Sequence, residues 1–400
     1  MKKIEEYLEK NWDLCIRENR LDDGTLLGLP YPYTVPSTEH FDEIYYWDTY
    51  FTNVGLIKSG KAYLAKNNVD NMLHLVDKYG FMPNGNRTWY LTRSQPPFLS
   101  EMVKDVYEYY HDNAWLCGAY MILKKEYKFW MEKRKNTLGL NEYSPDIEFC
   151  DVKGMAEDFK NRTAYKADKT DDELAMHMIS LCESGWDMNP RFDCECQNYA
   201  AVDLNALLFG MENNMAYFAQ KLGNSDDTAK WKWLAGERLR LMNDYLRTED
   251  GLFLDYNFET GKKSRIFSTA SFYMLFVNAA SNEQAQAAVD NLYRLEEKFG
   301  IATCEKGERD AMYQWDYPNG WACQQFIVIK GLENYGFIDD AKRIAEKYVN
   351  LVEKVFEQTG NLWEKYNVVD GSINVSNEYD MPSMMGWSAG VYIYAKDLLR

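Results

Sequence analysis

Thr359-Gly360-Asn361-Leu362-Trp363-Glu364-Lys365-Tyr366-Asn367 leaves a helical pattern through a glycine and runs into a short extended segment ending in an acid, a tyrosine and an asparagine. Asp250-Gly251-Leu252-Phe253-Leu254-Asp255-Tyr256-Asn257 does the same about a hundred residues earlier. Both read as a β-turn or small hairpin placed after a helix pair, one device used twice. Around them the apolar spacing is helical, over 2–19, 44–59, 60–79, 100–132, 171–181, 201–222, 226–246, 267–280, 283–299, 320–335, 338–356 and 384–398. Four of these patterns end alike, at Gly80, Gly223, Gly300 and Gly336, where a left-handed residue closes a helix. Ser281 with Gln284 predicts a capping box. Only 10 prolines interrupt the chain, which favours long helices. Repeated helix pairs with excursions at one end predict an all-α fold, an α/α toroid whose loops gather at one mouth.

Composition narrows the function. The 400 residues carry 45 Lys and Arg against 62 Asp and Glu, a net charge of −17, which repels nucleic acid. No apolar run reaches the roughly 20 residues of a membrane span. The start, Met1-Lys2-Lys3-Ile4-Glu5-Glu6, is polar and unlike a secretory leader. With that start, the eight cysteines read as reduced thiols of a cytoplasmic protein. Four histidines and a lone Cys194-x-Cys196 leave little for a metal cage, so neither metal nor other cofactor is expected. No linker composition divides the chain, so residues 1–400 read as one catalytic domain. Oligomeric state leaves no trace in the sequence.

The chain has 12 Trp, 30 Tyr and 19 Phe, and in five places such rings stand directly beside acids. These are Phe41–Phe51, Asn84–Pro97, Glu183–Phe192, Gln314–Trp321 and Trp363–Asn367. A ring beside a carboxylate is commonly a half-buried surface pair. Five such clusters with Asn, Gln or Arg suit a sugar, whose apolar face takes a ring and whose hydroxyls take acceptors and donors. Paired carboxylates also cleave glycosides without a cofactor. Gly386-Trp387-Ser388-Ala389-Gly390 matches a serine-hydrolase elbow in letters, but no histidine follows His177 to complete a triad. It reads better as small residues admitting a closely packed last helix.

The motifs resemble the trehalase family of glycoside hydrolases. Tyr45-Tyr46-Trp47-Asp48-Thr49-Tyr50 is similar to its first signature and Gln314-Trp315-Asp316-Tyr317-Pro318-Asn319-Gly320-Trp321 to its second. Asn84-Gly85-Asn86-Arg87, Arg93-Ser94-Gln95-Pro96-Pro97 and Glu183-Ser184-Gly185-Trp186-Asp187 match in order, so the resemblance runs from about Pro36 to the C-terminus. It implies an (α/α)6 barrel and inverting hydrolysis of an α-glucoside, with trehalose the first substrate to expect. Another glucobiose or a glucosylglycerate-like solute is the alternative, and a non-catalytic sugar-binding protein is a third reading. The resemblance implies Asp187 as general acid and Glu364 as general base. It implies Phe41, Trp47, Asp48, Asn84 and Arg93 around the cleaved glucose, Trp315, Asp316 and Trp321 as a wall, and Glu378 as a closing acid. Three places depart from the family. His40 stands where an arginine is usual, Arg162-Thr163-Ala164-Tyr165 lacks the acid of the segment it corresponds to, and Asp370-Gly371-Ser372-Ile373-Asn374-Val375-Ser376-Asn377 replaces the glycine-rich run before the closing glutamate. All three belong to the leaving-group side. An arginine's forked donors are not reproduced by histidine, which makes the leaving group the open question.

Overall fold

The computed structural model describes residues 2–145, 151–166, 169–375, 381–383 and 385–400. In chain order its helices are α1 (Lys2–Leu14), α2 (Tyr46–Lys58), α3 (Ala62–Tyr79), α4 (Leu99–Tyr110), α5 (Asn113–Lys133), α6 (Val152–Thr163) and α7 (Asp171–Ser184). They continue as α8 (Val202–Lys221), α9 (Ser225–Tyr245), α10 (Tyr273–Phe276), α11 (Asn282–Asp290), α12 (Ala322–Asn334), α13 (Ile338–Thr359) and α14 (Gly386–Leu398). Six of them close a ring, each packed on the next: α2, α4, α8, α10, α12, α14 and back to α2. An outer layer lies on the ring, with α3 packed on α2, α5 on α4 and α8, α9 on α8, and α13 on α12 and α14, while α6 and α7 pack on each other in the stretch between α5 and α8. This is the (α/α)6 barrel.

The two layers differ in sequence for a physical reason. An inner helix touches neighbours on every side, and α8 is buried without a break from Val202 to Glu212. An outer helix buries one stripe, as α13 does with Ala341, Ile344, Ala345, Tyr348, Val349, Val352 and Val355. Rings fill the middle: Tyr50 stacks on Phe98 at 4.7 Å and meets the edges of Phe276 and Phe326. The ring closes where α14 meets α2 at a glycine contact. A methyl on Gly390 would lie 2.0 Å from the Phe51 carbonyl oxygen, and one on Gly55 would lie 2.5 Å from Gly390 Cα. The small-residue reading of 386–390 is thereby explained.

Both extended excursions are present. Tyr256–Asn257 pairs with Tyr199–Ala200 and, as a hairpin, with Lys262–Lys263. Lys365–Asn367 pairs antiparallel with Asn319–Trp321, in the register Trp321 opposite Lys365. Three of the four glycine ends stand as expected, with Gly80, Gly223 and Gly336 at φ +83°, +75° and +80°. The fourth does not. The pattern 283–299 stops at Asp290, and Glu296–Glu297 turns back on Gly300–Ile301 as a hairpin. Buried Gln325 captures that turn, accepting the Ile301 N–H at 2.8 Å and donating to its carbonyl at 2.6 Å. The pattern 100–132 is two helices, broken at His111 (φ +53°), with Asp112 capping α5 by accepting the N–H groups of Ala114 and Trp115. The Ser281–Gln284 capping box is formed, and Thr170 with Glu173 forms another at the start of α7. Among the described residues seven cysteines are free thiols, and no helix is long and apolar enough to cross a membrane.

Candidate active site

The five aromatic–acid segments converge on one cavity of about 490 Å³, within the range of small-molecule sites. The joints between them are specific. Asn84 donates its N–H to the Arg93 carbonyl at 3.0 Å and accepts from Arg93 Nε at 3.0 Å, which closes the second segment on itself. The Tyr46 N–H donates to the Asn84 carbonyl, and the Trp47 N–H to Gln95 Oε1, which binds the first segment to the second. Glu183 is wholly buried; it accepts two bonds from Arg134 and one from the Ser94 N–H, which ties the second to the third. The Trp315 N–H donates to the Met188 carbonyl, joining third and fourth. The strand pair at Trp321 and Lys365 joins fourth and fifth.

Helix ends deliver the side chains. Pocket residues sit at or just before the N-termini of α2 (Tyr45, Trp47, Asp48), α4 (Gln95), α12 (Trp321) and α14 (Trp387). These positive dipole ends point at a cavity rich in carboxylates. Asp187 follows α7 through Gly185, at φ +73°, whose added Cβ would lie 2.8 Å from the Trp47 indole. Only glycine meets both demands there. Beyond it, buried Arg191 holds Asp203 and Asp255 at 2.8–3.2 Å and lies 4.3 Å over the Trp186 ring. The acid of the first excursion, Asp255, is thus part of the scaffold, whereas the acid of the second, Glu364, lines the cavity.

Tryptophans form the wall. Trp315 stacks on Trp321 at 3.7 Å with planes 3° apart, and Trp186 stacks behind Trp315 at 5.7 Å. Trp47 packs at 5.5 Å from Trp315, and Trp387 stands edge-on to Trp47, Trp315 and Trp321. Two of the cavity's carboxyls are displaced from their ordinary range. Burial pushes Asp187 up to about 6, with Arg93 and Arg162 opposing and Glu364 reinforcing the rise. Burial pushes Asp48 up to about 8, with Glu364 and Asp187 adding to it. Glu364 is 4% exposed, and its Oε2 accepts from Lys365 Nζ at 2.9 Å.

Of the residues singled out from the sequence, His40, Phe41, Trp47, Asp48, Asn84, Arg93, Arg162, Asp187, Trp315, Trp321 and Glu364 all line the cavity. Asp316 is not among its lining residues. Its carboxylate takes two bonds from Arg309 at 2.7 and 3.1 Å and caps the Tyr317 N–H, so it braces the wall. Glu378 lies outside the described residues. Tyr45, Tyr90, Gln95 and Gln314 line the cavity too, from segments already noted for their composition. Trp387 was hidden: its run reads as packing, and only the seating of α14 on α2 turns its ring inward.

The Trehalase family model matches residues 1–399. The chain belongs to the trehalase family. The periplasmic trehalase of Xanthomonas axonopodis pv. citri is 32% identical over 431 residues, spanning 99% of this chain and 73% of that protein. The periplasmic trehalase of Escherichia coli O1:K1 / APEC is 31% identical, spanning 99% and 74%. Neutral trehalase Nth1 from Saccharomyces cerevisiae superposes with a TM-score of 0.79 at 29% identity, over 92% of this chain and 74% of that one. A mannosylglycerate hydrolase from Thermus thermophilus shares the fold, with a TM-score of 0.65 at 15% identity over 90% and 95%. The trehalase-family chain is a glycoside hydrolase. The expectation of a cytoplasmic protein is overturned here, because the curated relatives matched over nearly the whole chain are periplasmic trehalases by name. That expectation rested on a polar start and unpaired thiols. Compartment is set by a targeting signal, which the folded domain's composition does not record.

Proposed function

We propose that the protein hydrolyses trehalose to two glucose molecules with inversion at the cleaved anomeric carbon, residues 1–400 acting as one catalytic domain without a cofactor. The observation that carries this reading is the placement of Asp187 and Glu364, from segments far apart in sequence, on one tryptophan-walled cavity. Asp187 donates its proton to the glycosidic oxygen as the C–O bond breaks. Glu364 takes a proton from the water whose oxygen bonds to the anomeric carbon from the opposite face. Asp187 suits the acid role because burial holds it protonated up to about pH 6. Trp47, Asp48, Phe41, Asn84 and Arg93 grip the cleaved glucose, and Trp315 and Trp321 form the wall beside it.

Glu364→Gln is expected to lower kcat by several orders of magnitude with the fold retained; near-normal turnover would exclude Glu364 as the base. Fresh product followed by NMR should contain one β-glucose, from the attacked carbon, and one α-glucose, from the leaving group. Two α-glucoses would rule out inversion. His40 favours a second reading, hydrolysis of a related α-glycoside. It lines the cavity but is half exposed, 3.9 Å from Glu39, where the family resemblance has an arginine. A panel of α-glucosides ranked by kcat/KM separates the two readings.

A further inference from the structure

Lys365 is 0% exposed, immediately after Glu364 and first on the strand that follows it. A buried ammonium is costly unless an anion and further acceptors meet it. Here Nζ donates to Glu364 Oε2 at 2.9 Å and to Gln314 Oε1 at 2.8 Å, and lies 4.5 Å over the Trp321 ring. Gln314 is fixed in turn, its carbonyl accepting from Asn319 Nδ2 at 2.8 Å and Trp321 Nε1 at 3.3 Å. The backbone under Glu364 is also clamped: Trp387 Nε1 donates to the Glu364 carbonyl at 3.1 Å and Ser388 Oγ to the Trp363 carbonyl at 2.6 Å.

We propose that Lys365 is the positioning residue of the general base, its buried counter-charge fixing the direction of Glu364 through Oε2 while the Gln314–Trp321 segment holds the lysine. The proposal rests on the reading of Glu364 as base. The charges around Glu364 make the need plain. Asp187 and Asp48 line the same cavity as Glu364, so three carboxyls share one site. A buried carboxylate among acids turns neutral unless a cation stands beside it, and a neutral carboxyl takes no proton from water. The second signature segment thus serves the base as well as the sugar wall: one face of Trp321 stacks on Trp315 and its ring carries the lysine.

The test is the pH profile of kcat/KM for trehalose in Lys365→Gln and Lys365→Arg, with Glu364→Gln beside them. Glutamine should move the acidic limb up by about one pH unit, the effect of losing an adjacent opposite charge, and lower kcat at least tenfold with KM within about twofold. Arginine keeps the charge but not the Nζ position, so its limb should stay within about 0.3 unit while kcat falls at least fivefold. An unmoved limb in the glutamine variant overturns the proposal. So does an arginine variant whose limb shifts by a unit or whose kcat equals wild type, and this arm stands even where glutamine fails to fold. A nearly active Glu364→Gln would instead overturn the base assignment, so the two failures are distinct.

Discussion

Burial raises the Asp187 carboxyl to about 6, and two measurable consequences follow. On the proposed roles the protonated form is active, so kcat/KM falls on the alkaline side as pH passes through about 6. Stability changes in the same window. The unfolded chain loses this proton near 3.8 and the folded chain near 6, so the folded state binds more protons between them and stability drops as pH rises. Asp187→Asn has no such proton to lose. Its melting temperature relative to wild type should climb from pH 4 to pH 6.5 while kcat falls by orders of magnitude; an offset constant with pH would contradict the buried, protonated aspartate. At this scale the sequence alone could say only that rings and acids cluster. It took the family's motifs to choose Asp187 and Glu364 from 62 acids, and their convergence depends on hydrogen bonds between segments that no local pattern records.

Elements were legible where the force is local. Gly80, Gly223 and Gly336 close helices because a left-handed residue is needed there, and Ser281 with Gln284 starts one. Elements were misread where a distant group overrides periodicity, as Gln325 does in drawing 296–301 into a hairpin. The break at His111 had a local sign, the N-cap residue Asp112, masked by apolar spacing that continues across it. Gly390 is a tightly packed joint between elements. Alanine there puts a methyl 2.0 Å from the Phe51 carbonyl oxygen and must push α14 off α2. Gly390→Ala should cost at least about 2 kcal/mol, an overpacking effect, read from denaturant midpoints; a loss under about 0.5 kcal/mol would show that the two helices yield.

For the whole molecule, one buried cation ties three segments at the mouth. Arg191 joins the loop after α7 to Asp203 on α8 and Asp255 before the hairpin, all at most 2% exposed. Arg191→Met leaves two buried carboxylates without their cation and should cost about 3–5 kcal/mol, seen as a lower unfolding midpoint. Wild-type stability would mean that the mouth is held elsewhere. The sequence by itself determined the helical class, the paired excursions and the chemistry of a sugar pocket, because helix period, glycine turns and ring–acid adjacency act over a few residues. Only the tertiary structure decided that Trp387 faces the cavity, that Asp316 serves Arg309, and that Asp255 and Glu364, alike in sequence, part company. Which acid meets a buried arginine and which meets open space depends on the neighbours that ring closure brings, and those neighbours are far away along the chain.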